Sequence, residues 1–299
     1  MKKLRCCCAF TIAILGLLLT GCSKGQNADA ILSKETIKVN EVNIPDGQGH
    51  MPQRQVLPLP NEGITLYNAA ENGNQIYLYG CNTAREATLY VLSKEDMKIE
   101  ALPETELDSV VDISAIGEQV VCLLGINQDG AYTITKLHQT GDSSTLTLDP
   151  RLYQDDSIFG LTATEDYFFL KTARTILVAN KNGEFLTDLG AKSAFAQVLV
   201  SGPEKFLLIE YGSTDRAGIS KPTVIYELLP DLSVGDSYEV NAGFSQFFPN
   251  TDDILMAQLG GCIYEYNYKT GYCQPLMNFR TGAMELMGLT RLSEDHFFQ

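Results

Sequence analysis

Carboxylates are the side chains with which this sequence is best supplied for acid–base or metal chemistry. Asp155-Asp156 and Asp252-Asp253 are adjacent pairs, while Asp112 and Glu285 fall within apolar runs that read as strands. Two carboxylates across a channel would suit a hydrolase or lyase as general acid and base, and a loop pair would suit calcium. Asp252-Asp253, however, sits in a turn, where acidic residues serve turn chemistry and solubility. Asp155-Asp156 precedes a strand and marks a rim. His50, His138 and His296 lie in a proline-rich loop, near a strand end and in a turn, too scattered for a zinc site. There is no G-x-S-x-G, H-E-x-x-H, P-loop or paired C-x-x-C pattern, which removes the commonest hydrolase, zinc and nucleotide readings. No catalytic residue, metal ligand or cofactor is assigned, no binding residue is identified, and a non-enzymatic chain is expected.

Cysteine chemistry is more specific. Lys2, Lys3 and Arg5 form a positive n-region, and residues 9–19 form an apolar stretch too short to span a bilayer. Leu19-Thr20-Gly21-Cys22 follows and resembles the lipobox of bacterial lipoproteins. That resemblance implies cleavage before Cys22, diacylation of its sulfur, and a chain tethered at the extracytoplasmic face of the cell membrane. Each buried methylene contributes about 0.8 kcal/mol, so two acyl chains give stable anchoring. Residues 1–21 are then a signal peptide, and the small polar residues of 22–34 a flexible tether.

Loss of the signal removes three basic residues and takes the formal charge from −15 to −18. Such an acidic coat argues against nucleic acid or an anionic lipid surface as an electrostatically steered partner. Cys6, Cys7 and Cys8 leave with the signal, so Cys81, Cys122, Cys262 and Cys273 remain. Their number and spacing lack the density of a disulfide framework, and buried strand thiols are the simplest reading. Cys262 and Cys273 would face one another across a hairpin only if the turn at 267–271 did not offset them.

The elements that must position these residues repeat. A short turn rich in Gly, Asn, Pro or acidic residues, followed by an apolar strand, recurs with strand starts at 76, 120, 167, 206, 254 and 297. The spacings of 44, 47, 39, 48 and 43 average about 44 residues, the blade length of a β-propeller. Inner strands are expected at 64–69, 109–115, 157–162, 194–200, 244–248 and 283–289. Third strands follow at 88–92, 133–137, 175–179, 223–228 and 262–266, and outer strands at 98–102, 144–148, 184–189, 237–240 and 272–276. Lys181-Asn182-Gly183 and Lys269-Thr270-Gly271 supply hairpin turns.

The expectation is an all-β propeller of about six four-stranded blades over residues 35–299. Five are complete, and a sixth stops two residues after its second strand begins. Either the chain is truncated, or strands from 36–60, notably 36–44 and 55–60, complete the sixth blade and cover its open edge. A β-sandwich or jelly roll is the architectural rival, but neither requires six copies of one unit. Tyr264 with Tyr266, and Tyr77 with Tyr79, share strand faces and are expected to fill the space between blades.

Ile263-Tyr264-Glu265-Tyr266-Asn267-Tyr268-Lys269-Thr270-Gly271 resembles the strand-turn of quinoprotein-type and outer-membrane-assembly propellers, and 176–186 is similar to an NHL-type repeat. A lipobox, a tether and irregular blades together resemble the propeller region of Gram-positive solute-binding lipoproteins. Three functions follow as expectations. The first is a membrane-anchored, non-enzymatic module that binds a protein or small extracellular ligand through rim loops at 103–108, 149–156 and 212–222. The second is the N-terminal part of a solute-binding lipoprotein of an ABC-type importer, as the resemblance implies. The third is a carbohydrate-active hydrolase or lyase using Asp112 and Glu285.

Overall fold

The computed structural model describes residues 36–39, 44–45, 49, 65–73, 75–82, 87–102, 109–191, 196–202, 204–213, 221–279, 290–291 and 297–298. After a short strand β1 (Ile37–Lys38), four strands consecutive in the chain form the first blade: β2 (Thr65–Asn72), β3 (Gln75–Cys81), β4 (Ala87–Ser93) and β5 (Ile99–Ala101). The second holds β6 (Ser109–Ile116), β7 (Val120–Ile126), β8 (Tyr132–His138) and β9 (Ser143–Thr147). The third holds β10 (Ile158–Ala163), β11 (Tyr167–Thr172), β12 (Ile176–Asn180) and β13 (Phe185–Asp188). The fourth is β14 (Gln197–Gly202), β15 (Lys205–Glu210), β16 (Thr223–Leu228) and β17 (Val234–Val240), and the fifth is β18 (Gln246–Thr251), β19 (Ile254–Leu259), β20 (Cys262–Asn267) and β21 (Cys273–Asn278). Within each blade neighbouring strands pair antiparallel, inner to outer in chain order.

The period of two along a strand explains how blades stack. Side chains alternate between faces, so a strand covered on both faces must be apolar throughout. In β7, Leu123 packs into the seam between the first and second blades, while Cys122 and Leu124 pack into the seam between the second and third. In β11, Phe168 and Leu170 serve that same seam and Phe169 serves the next. In β15, Phe206 and Leu208 face the third blade, and Leu207 and Ile209 face the fifth. The outer strand β9 is largely exposed, as a strand at the rim should be. Two further clusters remain within single blades. Ala69, Ile76, Leu78, Tyr90 and Leu92 cover one face of the first, and Phe248, Met256, Ile263 and Met277 one face of the fifth.

Gly183 shows how turns lock to adjacent blades. Its φ of +81° is left-handed, and a Cβ there would lie 2.8 Å from Leu146 Cδ1 of the second blade. Its carbonyl accepts a hydrogen bond from the Asp149 amide at 2.9 Å.

Two expectations are corrected. The described residues form five four-stranded blades, not six; where a sixth was expected, β22 (Thr290–Arg291) and β23 (Phe297–Phe298) form a two-stranded pair. The repeated turn-and-strand signal counts hairpins, and a sixth hairpin is not a sixth blade. The described strand of the N-terminal segment does not extend that pair either. Instead β1 runs parallel to β17, Ile37 opposite Tyr238 and Lys38 opposite Glu239. Val39 is buried with Tyr238 and Val240 between the fourth and fifth blades, while Ile37 is exposed. The expected inner strand at 283–289, the segment 55–60, the signal at 1–21 and the tether at 22–34 lie outside the described residues.

Candidate functional site

The five inner strands β2, β6, β10, β14 and β18 contribute to one central cavity of about 1600 Å3. All five start at the same mouth, because every blade has the same strand order. At that mouth β2, β6 and β10 each carry a β-bulge at an equivalent place. Register skips Tyr67 between Leu66 and Asn68, Val111 between Val110 and Asp112, and Phe159 between Ile158 and Gly160. In β14 and β18 the irregularities fall at the opposite end, between Val200 and Gly202 and between Pro249 and Thr251. A bulge re-aims side chains and is enriched beside binding sites. Tyr67 and Phe159 are 58% and 45% exposed, while Val111 is half-buried against the core beneath it.

Asp112, next to its bulge, ties three blades together. Its Oδ1 accepts from Asn68 Nδ2 of the first blade at 2.8 Å, and its Oδ2 from the Leu161 amide of the third at 2.8 Å. Asn68 Nδ2 also donates to the Ile113 carbonyl at 3.0 Å. One rung further, Ser114 Oγ accepts from the Ala163 amide at 3.0 Å. Burial raises the Asp112 pKa above its ordinary value, and the hydrogen bonds from Asn68 and Leu161 only partly offset this. Between the fourth and fifth blades the corresponding tie is Tyr211, whose hydroxyl accepts from the Phe247 amide at 3.0 Å and donates to Gln197 Oε1 at 2.6 Å.

Lys171, at the end of β11 opposite Gly160, supplies a cation to this mouth. Its ammonium lies 5.7 Å from the centroid of the Phe159 ring. Burial lowers its pKa, and the charge of Asp112 acts in the opposite sense. At the other mouth Glu118, Glu165 and Glu204 are exposed on successive turns between inner and second strands. The cavity is thus acidic at one end and carries aromatic rings and an ammonium at the other.

Among the described residues, the remaining expected ones do not converge. Glu285, His50, His296 and Cys22 lie outside the described residues, so no carboxylate pair with Asp112 is described. His138 ends β8. Asp155 is exposed, and Asp156 Oδ1 accepts from the Ser157 amide at 2.9 Å. Asp253 meets Lys205 at 2.6 Å and Lys269 at 3.1 Å, an ionic clamp between the fourth and fifth blades. Among the described residues no group of three or more His, Cys, Asp or Glu side chains is placed to hold a metal ion.

Cys81, Cys122, Cys262 and Cys273 are free thiols. Cys262 pairs in register with Asn278 and Cys273 with Tyr266, so the hairpin does offset them. Burial pushes the Cys122 thiol up to about 12 and the Cys273 thiol up to about 11, which makes both inert. Tyr264 and Tyr266 fill the seam between the fourth and fifth blades, and Tyr77, with Tyr79 against it, that between the first and second, as expected. Of the rim loops, 103–108 and 214–220 lie outside the described residues, and 149–156 contains a 3-10 turn at Pro150–Leu152. The bulges and Lys171 were not singled out from sequence. An aromatic at a strand start, with a Lys about a dozen residues on, was the available signal.

No family model and no curated protein matches the chain. Among solved structures it is similar to the Pan2 WD40 domain of Neurospora crassa, with 10% identity over 75% of this chain and 68% of that one, at a TM-score of 0.51. It is also similar to YCF48 bound to D1 peptide, with 14% identity over 80% and 77% of the two chains, at a TM-score of 0.50. At such identities the likeness is one of fold, and the fold these structures share with the described residues is the β-propeller.

Proposed function

We propose that the chain is a lipid-anchored propeller at the extracytoplasmic face of the cell membrane, held through Cys22, which binds a protein or small extracellular ligand at its central cavity without catalysing a reaction. The observation that carries the binding reading is the cavity itself, which five inner strands line and whose bulged mouth presents the exposed ring of Tyr67. Rigid blades displaying side chains at a mouth are suited to recognition. Asp112, at the bulged mouth of the cavity, spends both oxygens on neighbouring blades, which favours binding over acid–base chemistry there. The positive n-region and Leu19-Thr20-Gly21-Cys22 support the anchor.

Two measurements test this proposal. Bacteria expressing the full chain and fed an alkyne fatty acid should label it, and Cys22→Ser should abolish the label and release the protein from the membrane fraction. A labelled Cys22→Ser chain would remove the anchor. A photo-crosslinking amino acid at Ala115, which lines the cavity, should capture a ligand in intact cells, whereas one at Tyr272, exposed beside an outer strand, should not. Capture from Tyr272 alone would move binding off the cavity.

A further inference from the structure

We propose that the ring stands with its turn end, the end carrying Glu118, Glu165 and Glu204, toward the membrane and its bulged mouth away from it, an orientation set by the pairing of β1 with β17. This deepens the anchored reading above and rests on it. β17 runs from the turn end of the fourth blade, where Val234 pairs with Leu228, to the bulged end, where Val240 pairs with Thr223. Because β1 is parallel to β17, its N-terminal end, to which the chain from Cys22 leads, faces the turn end. An antiparallel β1 would reverse this. The attachment is fastened at three places on two blades. The Ser237 hydroxyl donates to Thr36 Oγ1 at 3.2 Å, Val39 is buried in the seam between the fourth and fifth blades, and Ile44 packs against the same seam. Further on, a Cβ at Gly49 would lie 2.5 Å from the Met277 backbone nitrogen, so the chain lies flush on β21.

Length turns this attachment into an orientation. Thr36 follows Cys22 by 14 residues, and a coil of that length spans about 20 Å, with an upper limit of about 50 Å. A compact chain of about 250 residues has a radius of gyration of about 18 Å. The coil is thus shorter than the ring is wide, and the end at which it enters is the end that faces the lipid. Charge does not overturn this. Anionic headgroups would repel Glu118, Glu165 and Glu204, but screening confines that repulsion to about 8 Å. It holds the ring off the headgroups without inverting it. The opposite end is the one built for recognition. Within the five blades, every connection longer than five residues leaves that end, namely 102–108, 148–157, 189–196 and 211–222. Turn-end connections run from two residues at 73–74 to five at 229–233. Long loops on a rigid scaffold carry binding, and the exposed Tyr67 stands at the same mouth.

The test uses the full-length lipidated chain on phosphatidylcholine vesicles with an acceptor-labelled lipid in the outer leaflet. A fluorescent amino acid is placed at one of four exposed positions, Leu229 and Thr140 at the turn end or Ser213 and Gln128 at the bulged end. The ends of a six-residue strand lie about 20 Å apart, so energy transfer from Leu229 should exceed that from Ser213, and that from Thr140 exceed that from Gln128, at least about twofold. Inserting about forty Gly-Ser residues after Asn27 roughly doubles the coil's span and should narrow both differences with an unchanged melting curve. Val39→Asp, which places a charge in the seam, should release β1 and narrow them too. Equal transfer from the two ends of the unmodified chain, or greater transfer from Ser213 and Gln128, would overturn the orientation. Differences that persist in both variants would also overturn it, because neither the tether nor β1 would then set them. If the vesicles retain the chain but not Cys22→Ser, the anchor stands whichever way the transfer falls; if they retain Cys22→Ser as well, the anchor fails and the orientation with it.

Discussion

The first three blades and the last two are joined by different physics. In the first three, the ties run through the inner strands: Asp112 reaches Asn68 in one direction and the Leu161 amide in the other, and Ser114 accepts from the Ala163 amide. Between the fourth and fifth, the inner-side tie is the neutral Tyr211 hydroxyl, bonded to the Phe247 amide and Gln197 Oε1, and the ionic tie sits at the turn end. Lys269 bridges Glu227 at 3.0 Å and Asp253 at 3.1 Å, and the buried Tyr268 donates to Glu227 Oε1 at 2.6 Å. Burial alone would raise the Asp253 pKa, but Lys205 and Lys269 hold it below the usual range. A carboxylate enclosed by three blades must satisfy its acceptors or destabilise the ring, whereas a half-exposed clamp can lose a member to water. Bulges follow the same division, facing one mouth in the first three blades and the other end in the last two.

The sharpest way to break this contrast is Asp112→Ala. It strands the Leu161 amide and the Asn68 amide group, and should cost about 2–3 kcal/mol in urea unfolding. A loss under about 1 kcal/mol would mean that the inner strands do not depend on this tie. In the other region Tyr268→Phe removes one hydroxyl while Glu227 keeps Lys269, so the cost should be about 1 kcal/mol. A larger loss than that of Asp112→Ala would reverse the comparison.

Titration sharpens it further. Burial raises the folded-state pKa of Asp112 above the ordinary 3.8. The folded state therefore binds this proton more tightly than the unfolded state, and the group's contribution to stability falls as pH rises from about 3.8 through the raised value. Asp112→Asn should remove that part of the pH dependence, read as urea midpoints across the window. An unchanged slope would place the titrating group elsewhere. The smallest effect is expected at the rim, where Lys98 and Glu100 pair while exposed on the outer strand of the first blade. Glu100→Gln should leave the urea midpoint unchanged.

Much of this architecture was legible in the chain. The second strands begin at Gln75, Val120, Tyr167, Lys205 and Ile254, each within a residue of expectation, because a strand buried on both faces leaves a continuous apolar run after a polar turn. Bulges were not legible, since one skipped residue such as Val111 alters pairing without disturbing the apolar count. The pairing of β1 with β17 was hidden for a different reason: 36–44 alternates as any half-buried strand does, and its partner lies some 200 residues away, as in the Ser237–Thr36 hydrogen bond. Asp112 was visible as a carboxylate on an inner strand. What could not be read was that its partners, 44 and 49 residues distant, occupy both oxygens.

Hydrogen exchange across the inner strands tests the division between regions most directly. In the wild-type chain the Leu161 amide on β10 should be strongly protected, and Asp112→Ala should speed exchange through Leu161 and Ala163 while leaving Phe247 on β18 unchanged. Equal acceleration in β10 and β18, or none in either, would contradict the account.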